Sequence, residues 1–239
     1  MITSTENEKV KELTKLQQKK YRDETNTFIV EGEHLVEEAK KANQVLEIFS
    51  LEELSYPTTV VSVDVMKKIT SLDSPPSMIA LCIKEEKQEL LGERFVLLDE
   101  IQDPGNLGTI IRSSLAFNID TIILSKNCVD LYHPKVIRGT QGMMFHLNII
   151  TMDTKEAITK LKEKNIPIYG TSVDNGIIIK NLTQEEKEKY CLIMGNEGNG
   201  LSQEILNECD KRLYIPMNHK VESLNVGVAC SIILYEMTR

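Results

Sequence analysis

The sequence predicts an α/β fold in two domains, and three observations carry that reading. Short β-branched runs alternate with helix-sized intervals, a pattern that favours a sheet with helical crossovers over a helix bundle. The charged stretch KEEKQELLGER (84–94) has little to bury and marks the boundary, placing the domains at 1–88 and 93–239. Beyond it, the order strand, glycine-rich turn, helix occurs twice, in FVLLDEIQDPGNLGTIIRSSLAF and in CLIMGNEGNGLSQEIL. With 239 residues, 41% of them hydrophobic, the chain is long and apolar enough for a folded core rather than a disordered or fibrous chain.

The elements follow in order. A charged helix is predicted over 5–20, then strand FIVEG (28–32), a helix from about 34 to 42, and strand VLEIFS (45–50). TTVVSV (58–63), a short helix with Asp64 as its N-cap, and SMIALCI (77–83) complete the first domain. In the second, FVLL opens a parallel α/β unit that closes with DTIIL after the helix. MDTKEAITKLKEKNIPIYGTS reads as a helix and a strand, with Asp153 and Glu156 spaced as a capping box; Thr183 and Glu186 have the same spacing. LYIPMNHKVESLNVGVACSIILYEM ends as strand, loop and a strongly apolar helix.

Charge and cysteine usage narrow the function classes. The 28 Lys and Arg stand against 36 Asp and Glu, a net charge of −8, shared as −5 over residues 1–92 and −3 over 93–239. An acidic total argues against a broad nonspecific nucleic-acid surface but leaves room for a small shaped site. Residues 1–22 hold six cationic side chains and three Glu, a local +3 that suits either a solvated helix face or RNA contact. The five cysteines include no close pair, which suits a reducing compartment. The four histidines are scattered, and no metal is assigned. The N-terminus lacks an apolar signal core and no run approaches the roughly 20 apolar residues needed to cross a bilayer, so the expected location is the cytoplasm, away from membranes.

Three segments hold residues suited to a ligand, each with a plainer use. DPGNLG (103–108) lies between strand and helix, where free backbone N–H groups receive an anion or nucleotide. It has neither P-loop nor GxGxxG spacing, and Asn106 equally suits a helix cap. Arg112 follows six residues later, able to reach the same cleft or to form a surface ion pair. GNEGNG (195–200) supplies three glycines that permit close ligand approach, Gly195 and Gly198 among them, with Glu197 able to accept from a ligand or an arginine. The same glycines also serve an ordinary turn. In IPMNHKVESLNVGVA (215–229), Ser223 and Asn225 suit either a helix cap or a ligand, while Met217 and Leu224 suit an apolar wall for a ring such as adenine or simple core packing.

Together the stretches DEIQDPGNLGTIIRSSLAF, IMGNEGNGLS and IPMNHKVESLNVGVACSIILYE resemble, in order and spacing, the SpoU/TrmH family of RNA ribose methyltransferases. The resemblance covers residues 93–239, and KYRDETNTFIVEGEHLVEEA (20–39) resembles the start of the ribosomal-protein-like substrate-binding domain found in many members. It implies a C-terminal SPOUT domain with a deep trefoil knot, preceded by a smaller α/β RNA-binding domain. The family's catalytic positions fall on Asn106, Arg112, Glu197, Ser223 and Asn225. Its S-adenosylmethionine contacts fall on Gly195, Glu197, Gly198, Ile215, Met217, Leu224 and Asn225. Asn118 stands where many relatives have Gly, and Thr140 and Gln141 replace a common Ser-Met.

The implied reaction moves the cofactor's methyl group to a ribose 2′ oxygen of RNA, ribosomal RNA being expected ahead of transfer RNA, without a metal. Alignment of oxygen, carbon and sulfur is the main demand. Arginine is a poor base because its pKa exceeds about 12. Arg112 therefore either takes the proton with help from an RNA phosphate or clamps phosphate and stabilises developing charge. The resemblance also implies a homodimer in which an arginine of one subunit approaches the other's cofactor region. The competing readings are base methylation and a non-catalytic RNA-binding assembly factor.

Overall fold

The computed structural model describes residues 1–173 and 176–239. They form two compact units, Met1–Glu86 with Asp130–His146, and Lys87–Val129 with Leu147–Arg239. In the first, helices α1 (Glu8–Lys15) and α2 (Lys19–Thr25) precede β1 (Thr27–Glu31), α3 (Glu33–Lys41), β2 (Val45–Ser50), β3 (Thr59–Val60), α4 (Val63–Ile69) and β4 (Met78–Ile83). The sheet has the order β1-β4-β2-β3, antiparallel except between β2 and β3. Its core joins Val10, Leu13 and Leu16 to Val65, Met66 and Ile69 across Phe49 and Ile79.

The helix expected over 5–20 is broken. α1 ends at Lys15, and the carbonyls of Leu16 and Gln17 accept from the buried Arg22 guanidinium at 2.7 and 2.9 Å. The cap of α4 is Ser62, whose Oγ accepts from the Val65 N–H. Asp64 instead occupies the first turn, where a carboxylate favours the positive helix end.

In the second unit β5 (Arg94–Leu98), α5 (Pro104–Ala116) and β6 (Thr121–Leu124) come first. After helix α6 (Pro134–Thr140) of the first unit come β7 (Asn148–Thr151), α7 (Thr154–Glu163), β8 (Ile168–Ser172) and β9 (Ile177–Ile178). They are followed by α8 (Gln184–Glu188), β10 (Tyr190–Met194), α9 (Gln203–Glu208), β11 (Lys211–Tyr214) and α10 (Val226–Met237). All seven strands are parallel, in the order β7-β6-β5-β10-β8-β11-β9. Residues Phe95 to Leu98 are fully buried, so β5 is covered on both faces, as parallel strands require. Phe95 and Leu97 join a core completed by Ile158 and Leu161 of α7 and Ile205 of α9.

Thr183 and Glu186 form the expected capping box. At α7 only half of one forms: Asp153 accepts from Lys155 and Glu156 N–H, while the Glu156 carboxylate pairs with Lys160. Asn118, the residue in place of the common Gly, has φ +57, and Gln141 has φ +51. Asn is the side chain that tolerates this left-handed conformation best after Gly, so the departure at 118 keeps the turn after α5.

The segment Asp130–His146 is folded into the first unit by charge and by rings. Arg22, 2% exposed, meets Asp130 at 2.5 Å. Arg138 meets Glu31 at 2.9 Å, and His146 pairs with Glu38. Phe28 on β1 lies 4.6 Å from the Tyr132 ring and 6.3 Å from the Phe145 ring, centroid to centroid. Removing the carboxylate of Asp130 strands a buried guanidinium, so Asp130→Ala is expected to lower unfolding stability by about 3 kcal/mol in urea titrations. A change below about 0.5 kcal/mol would mean that Arg22 is satisfied by the two carbonyls alone.

Candidate functional site

β5 and β10 are adjacent, yet the chain leaves β5 towards β6 on one side and reaches β10 beside β8 on the other. In open parallel sheets ligands bind beyond the carboxyl ends of strands at such a reversal. Here the loops after β5 and β10 meet: the Asp99 N–H donates to the Met194 carbonyl, and the Gln102 and Asp103 N–H groups donate to the Glu197 carboxylate at 3.0 to 3.2 Å.

Asp103 caps α5, accepting from the Asn106 N–H at 2.9 Å, with Pro104 in the first turn. Asn106 is therefore not the cap, and its side chain is free for the site. Its Nδ2 donates to Glu197 at 3.1 Å, and its Oδ1 accepts from Asn225 Nδ2 at 2.8 Å. Asn225 caps α10, its Oδ1 accepting from the N–H groups of Gly227 and Val228 at 3.0 and 3.2 Å. An ionised carboxylate only accepts, so Asn106 must turn its NH₂ to Glu197 and its oxygen to Asn225, which leaves Asn225's oxygen for the helix. One hydrogen-bonded chain thus joins all three sequence segments.

Burial is the largest influence on the Glu197 carboxyl and pushes its pKa up. The N–H of Asp103, the Asn106 amide, Glu197's own N–H and the N–H of Gln102 outweigh it together, and the net shift is downward. Glu197 is an anion at neutral pH.

The loop 195–200 is held from both sides. Asn196 Nδ2 donates to the Glu100 carbonyl at 2.9 Å, while its Oδ1 accepts from Gly198 and Asn199 N–H. Glu100 sits at φ +61, fixed by a bond from its N–H to Ser125 Oγ and one from Asn127 Nδ2 to its carboxylate. A Cβ on Gly195 would lie 2.4 Å from the Gly200 backbone, so glycine is required there by the loop's own closure. At Gly198 a Cβ would make only an ordinary contact.

Next to this loop lies a cavity of about 590 Å³. Gly195, Glu197, Gly198, Ile215, Met217, Ser223, Leu224 and Asn225, all anticipated from sequence, line it. Asn106 is 8% exposed and acts through its two partners. Arg112 is not brought to the cavity: it stands exposed on α5, and its side chain makes no hydrogen bond or ion pair among the described residues. Sequence reading missed Thr171, Ser172 and Val173, which line the cavity at the carboxyl end of β8. The available signal was their place after an apolar strand, NIPIYGTS, in a parallel sheet. It also missed the supports Glu100, Gln102 and Asn127. Among the described residues no group of three or more His, Cys, Asp or Glu is placed to hold a metal ion, and no helix is long and apolar enough to cross a membrane.

A parallel α/β sheet with a glycine-lined cavity beyond the carboxyl ends of β8, β10 and β11 is the arrangement of a small-molecule-binding α/β enzyme domain. Residues 93–235 match the SpoU rRNA Methylase family, and residues 7–80 match the MRM3-like substrate binding domain. The chain belongs to the SpoU rRNA methylase family. It is 36% identical, over 99% of its length and 98% of the relative's, to the 23S rRNA (guanosine(2553)-2′-O)-methyltransferase RlmP of Bacillus subtilis. It superposes on an AdoMet-bound rRNA methyltransferase from Sinorhizobium meliloti with a TM-score of 0.88 and 29% identity, covering 99% of this chain and 96% of that one. A TrmH-family RNA methyltransferase structure from Porphyromonas gingivalis gives 0.85 and 30%, covering 95% and 96%. The SPOUT α/β fold anticipated for the C-terminal domain, behind a substrate-binding domain, is thereby established.

The depressed pKa of Glu197 gives a pH signature. A carboxyl whose folded pKa lies below its unfolded value contributes stability that is present above the unfolded pKa and lost as pH falls through the folded one. Denaturant titrations are expected to show this acid-side loss in the wild type and a smaller one in Glu197→Gln. Identical pH profiles for the two proteins would contradict the assignment.

Proposed function

We propose that this protein transfers the methyl group of S-adenosylmethionine to a ribose 2′-hydroxyl of ribosomal RNA. The observation that carries the reading is the Glu197–Asn106–Asn225 chain beside the glycine-lined cavity, which unites the three segments of the family pattern. The Bacillus relative, named as a 23S rRNA 2′-O-methyltransferase, favours ribosomal over transfer RNA. The matched substrate-binding domain supports an RNA-holding role for the first unit.

The cavity fits the cofactor by chemistry. Its volume lies in the range of small-molecule sites, roughly 300–1,000 Å³. Leu213, Ile215, Met217, Leu224 and Ile233 offer an apolar wall suited to a flat base, and the acidic character of the lining suits a cationic donor. When bound, the cofactor supplies an electrophilic methyl on a sulfonium. The chain's own residues bind and orient. Glu197, held as an anion, fixes Asn106; Asn106 fixes Asn225; and Asn225 sets the start of α10 beside the cavity. Ser223 and the backbone of 195–200 hold the ligand's polar groups.

The Arg112 side chain is a guanidinium, whose planar fork of donors matches phosphate oxygens. In this reading it clamps an RNA phosphate and stabilises the negative charge that grows on the 2′ oxygen as its proton leaves. Its exposed position away from its own chain's cavity supports use by a second subunit. So does the row Val228, Ile232 and Tyr235 on α10, each at least 36% exposed and spaced to share one helix face. The working form is thus a homodimer, in the cytoplasm.

The test is transfer of labelled methyl to unmodified ribosomal RNA, with digestion locating the label. Label on ribose is expected; label on a base, or binding without transfer, would overturn the reading. Arg112→Ala and Asn225→Ala are each expected to lose at least about 100-fold in turnover. Mixed in equal amounts and allowed to exchange subunits, they should recover about a quarter of wild-type turnover, because half the dimers then hold one intact site. No recovery after exchange would place Arg112 in its own chain's site.

A further inference from the structure

Two carboxylates, Glu197 and Glu222, are the only ionisable side chains among the described residues that line the cavity; no lysine, arginine or histidine stands with them. They are not equivalent. Glu197 is committed to the N–H groups of Gln102 and Asp103 and to the Asn106 amide. Glu222, on the loop between β11 and α10, is exposed and makes no hydrogen bond or ion pair among the described residues. It lies three residues before the cap Asn225 and has no part in the hydrogen-bonded chain that builds the site.

A methyl donor and its spent product differ by one methyl group and one positive charge: the sulfonium becomes a neutral thioether. A methyl group gives a pocket only weak grounds for discrimination. Charge gives more, because a carboxylate with no neighbouring cation attracts the sulfonium and is indifferent to the thioether. We infer that Glu222 is a specificity residue by which the cavity favours the charged donor over the uncharged product. The inference rests on the reading of this cavity as the methyl-donor site. Its consequence is kinetic as well as thermodynamic: after transfer the product has lost its attraction to Glu222 and leaves sooner, so the residue lowers product inhibition without touching the reacting atoms.

Calorimetric titration of the full-length protein with S-adenosylmethionine and with S-adenosylhomocysteine tests this. Glu222→Gln keeps the side chain's shape and removes its charge. Because the residue is exposed and screened, the affinity ratio of donor to product is expected to fall roughly three- to tenfold. Affinity for the product should stay within about twofold, and Glu222→Asp should keep the wild-type ratio. Raising salt from about 50 to about 500 mM should shrink the wild-type ratio towards that of the glutamine variant. An unchanged ratio in Glu222→Gln, or equal weakening of both ligands, overturns the inference while leaving the donor site intact. Binding of neither ligand by the wild type overturns the donor-site reading, and the inference with it. Should the variant fail to fold, a wild-type ratio indifferent to salt overturns the inference by itself.

Discussion

The amide of Asn106 is the constraint on which the site depends. An amide has one donating and one accepting end, and here both are used: the first on the Glu197 carboxylate, the second on Asn225. Each bond fixes the identity of the next, so the chain has one arrangement. It ties the start of α5, the loop after β10 and the start of α10, three places far apart in sequence and adjacent in the fold. Because Asn106 is almost completely buried, losing either partner would leave a polar group without water to replace it.

The loops so joined are also held from outside. Glu100 takes a left-handed backbone conformation that a non-glycine residue adopts at a cost of about 1–3 kcal/mol. Ser125 and Asn127 hold it there, and its carbonyl then receives Asn196. Strain at this point is compensated by hydrogen bonds that aim the neighbouring N–H groups of Gln102 and Asp103 at Glu197. The resulting anion stands just ahead of the α5 N-terminus, where the helix dipole favours negative charge. The charge that matters for function is therefore local. The whole-chain balance of −8 is spread over both halves of the sequence, whereas among the described residues the ionisable lining of the cavity is two carboxylates, Glu197 and Glu222.

The segments that bear the site were legible because their chemistry is local: a proline and an asparagine opening α5, glycines closing the 195–200 loop, an asparagine capping α10. The family resemblance then supplied their grouping. Periodicity alone left each segment with a plain alternative, and it carries no sign of a knot, which connection rules would place last. The fold of residues 130–146 was not legible, because Asp130, Tyr132, Arg138 and Phe145 find their partners about a hundred residues earlier in the chain. The break after α1 escaped for the same reason: its carbonyls are satisfied by the side chain of Arg22, which no helix-end signal in residues 5–20 announces. Glu100 does its work through backbone angle and carbonyl position, and Asn127 through a side-chain bond to a residue 27 positions earlier, neither of which residue type encodes.

A double-mutant cycle on methyl transfer tests the central claim most directly, with Asn106→Ala, Asn225→Ala and the pair compared with the wild type. If the two amides act as one connected unit, the double variant loses little more than the worse single variant, a coupling of at least about 1 kcal/mol. Losses in kcat/KM that simply multiply would show two independent residues and contradict the account.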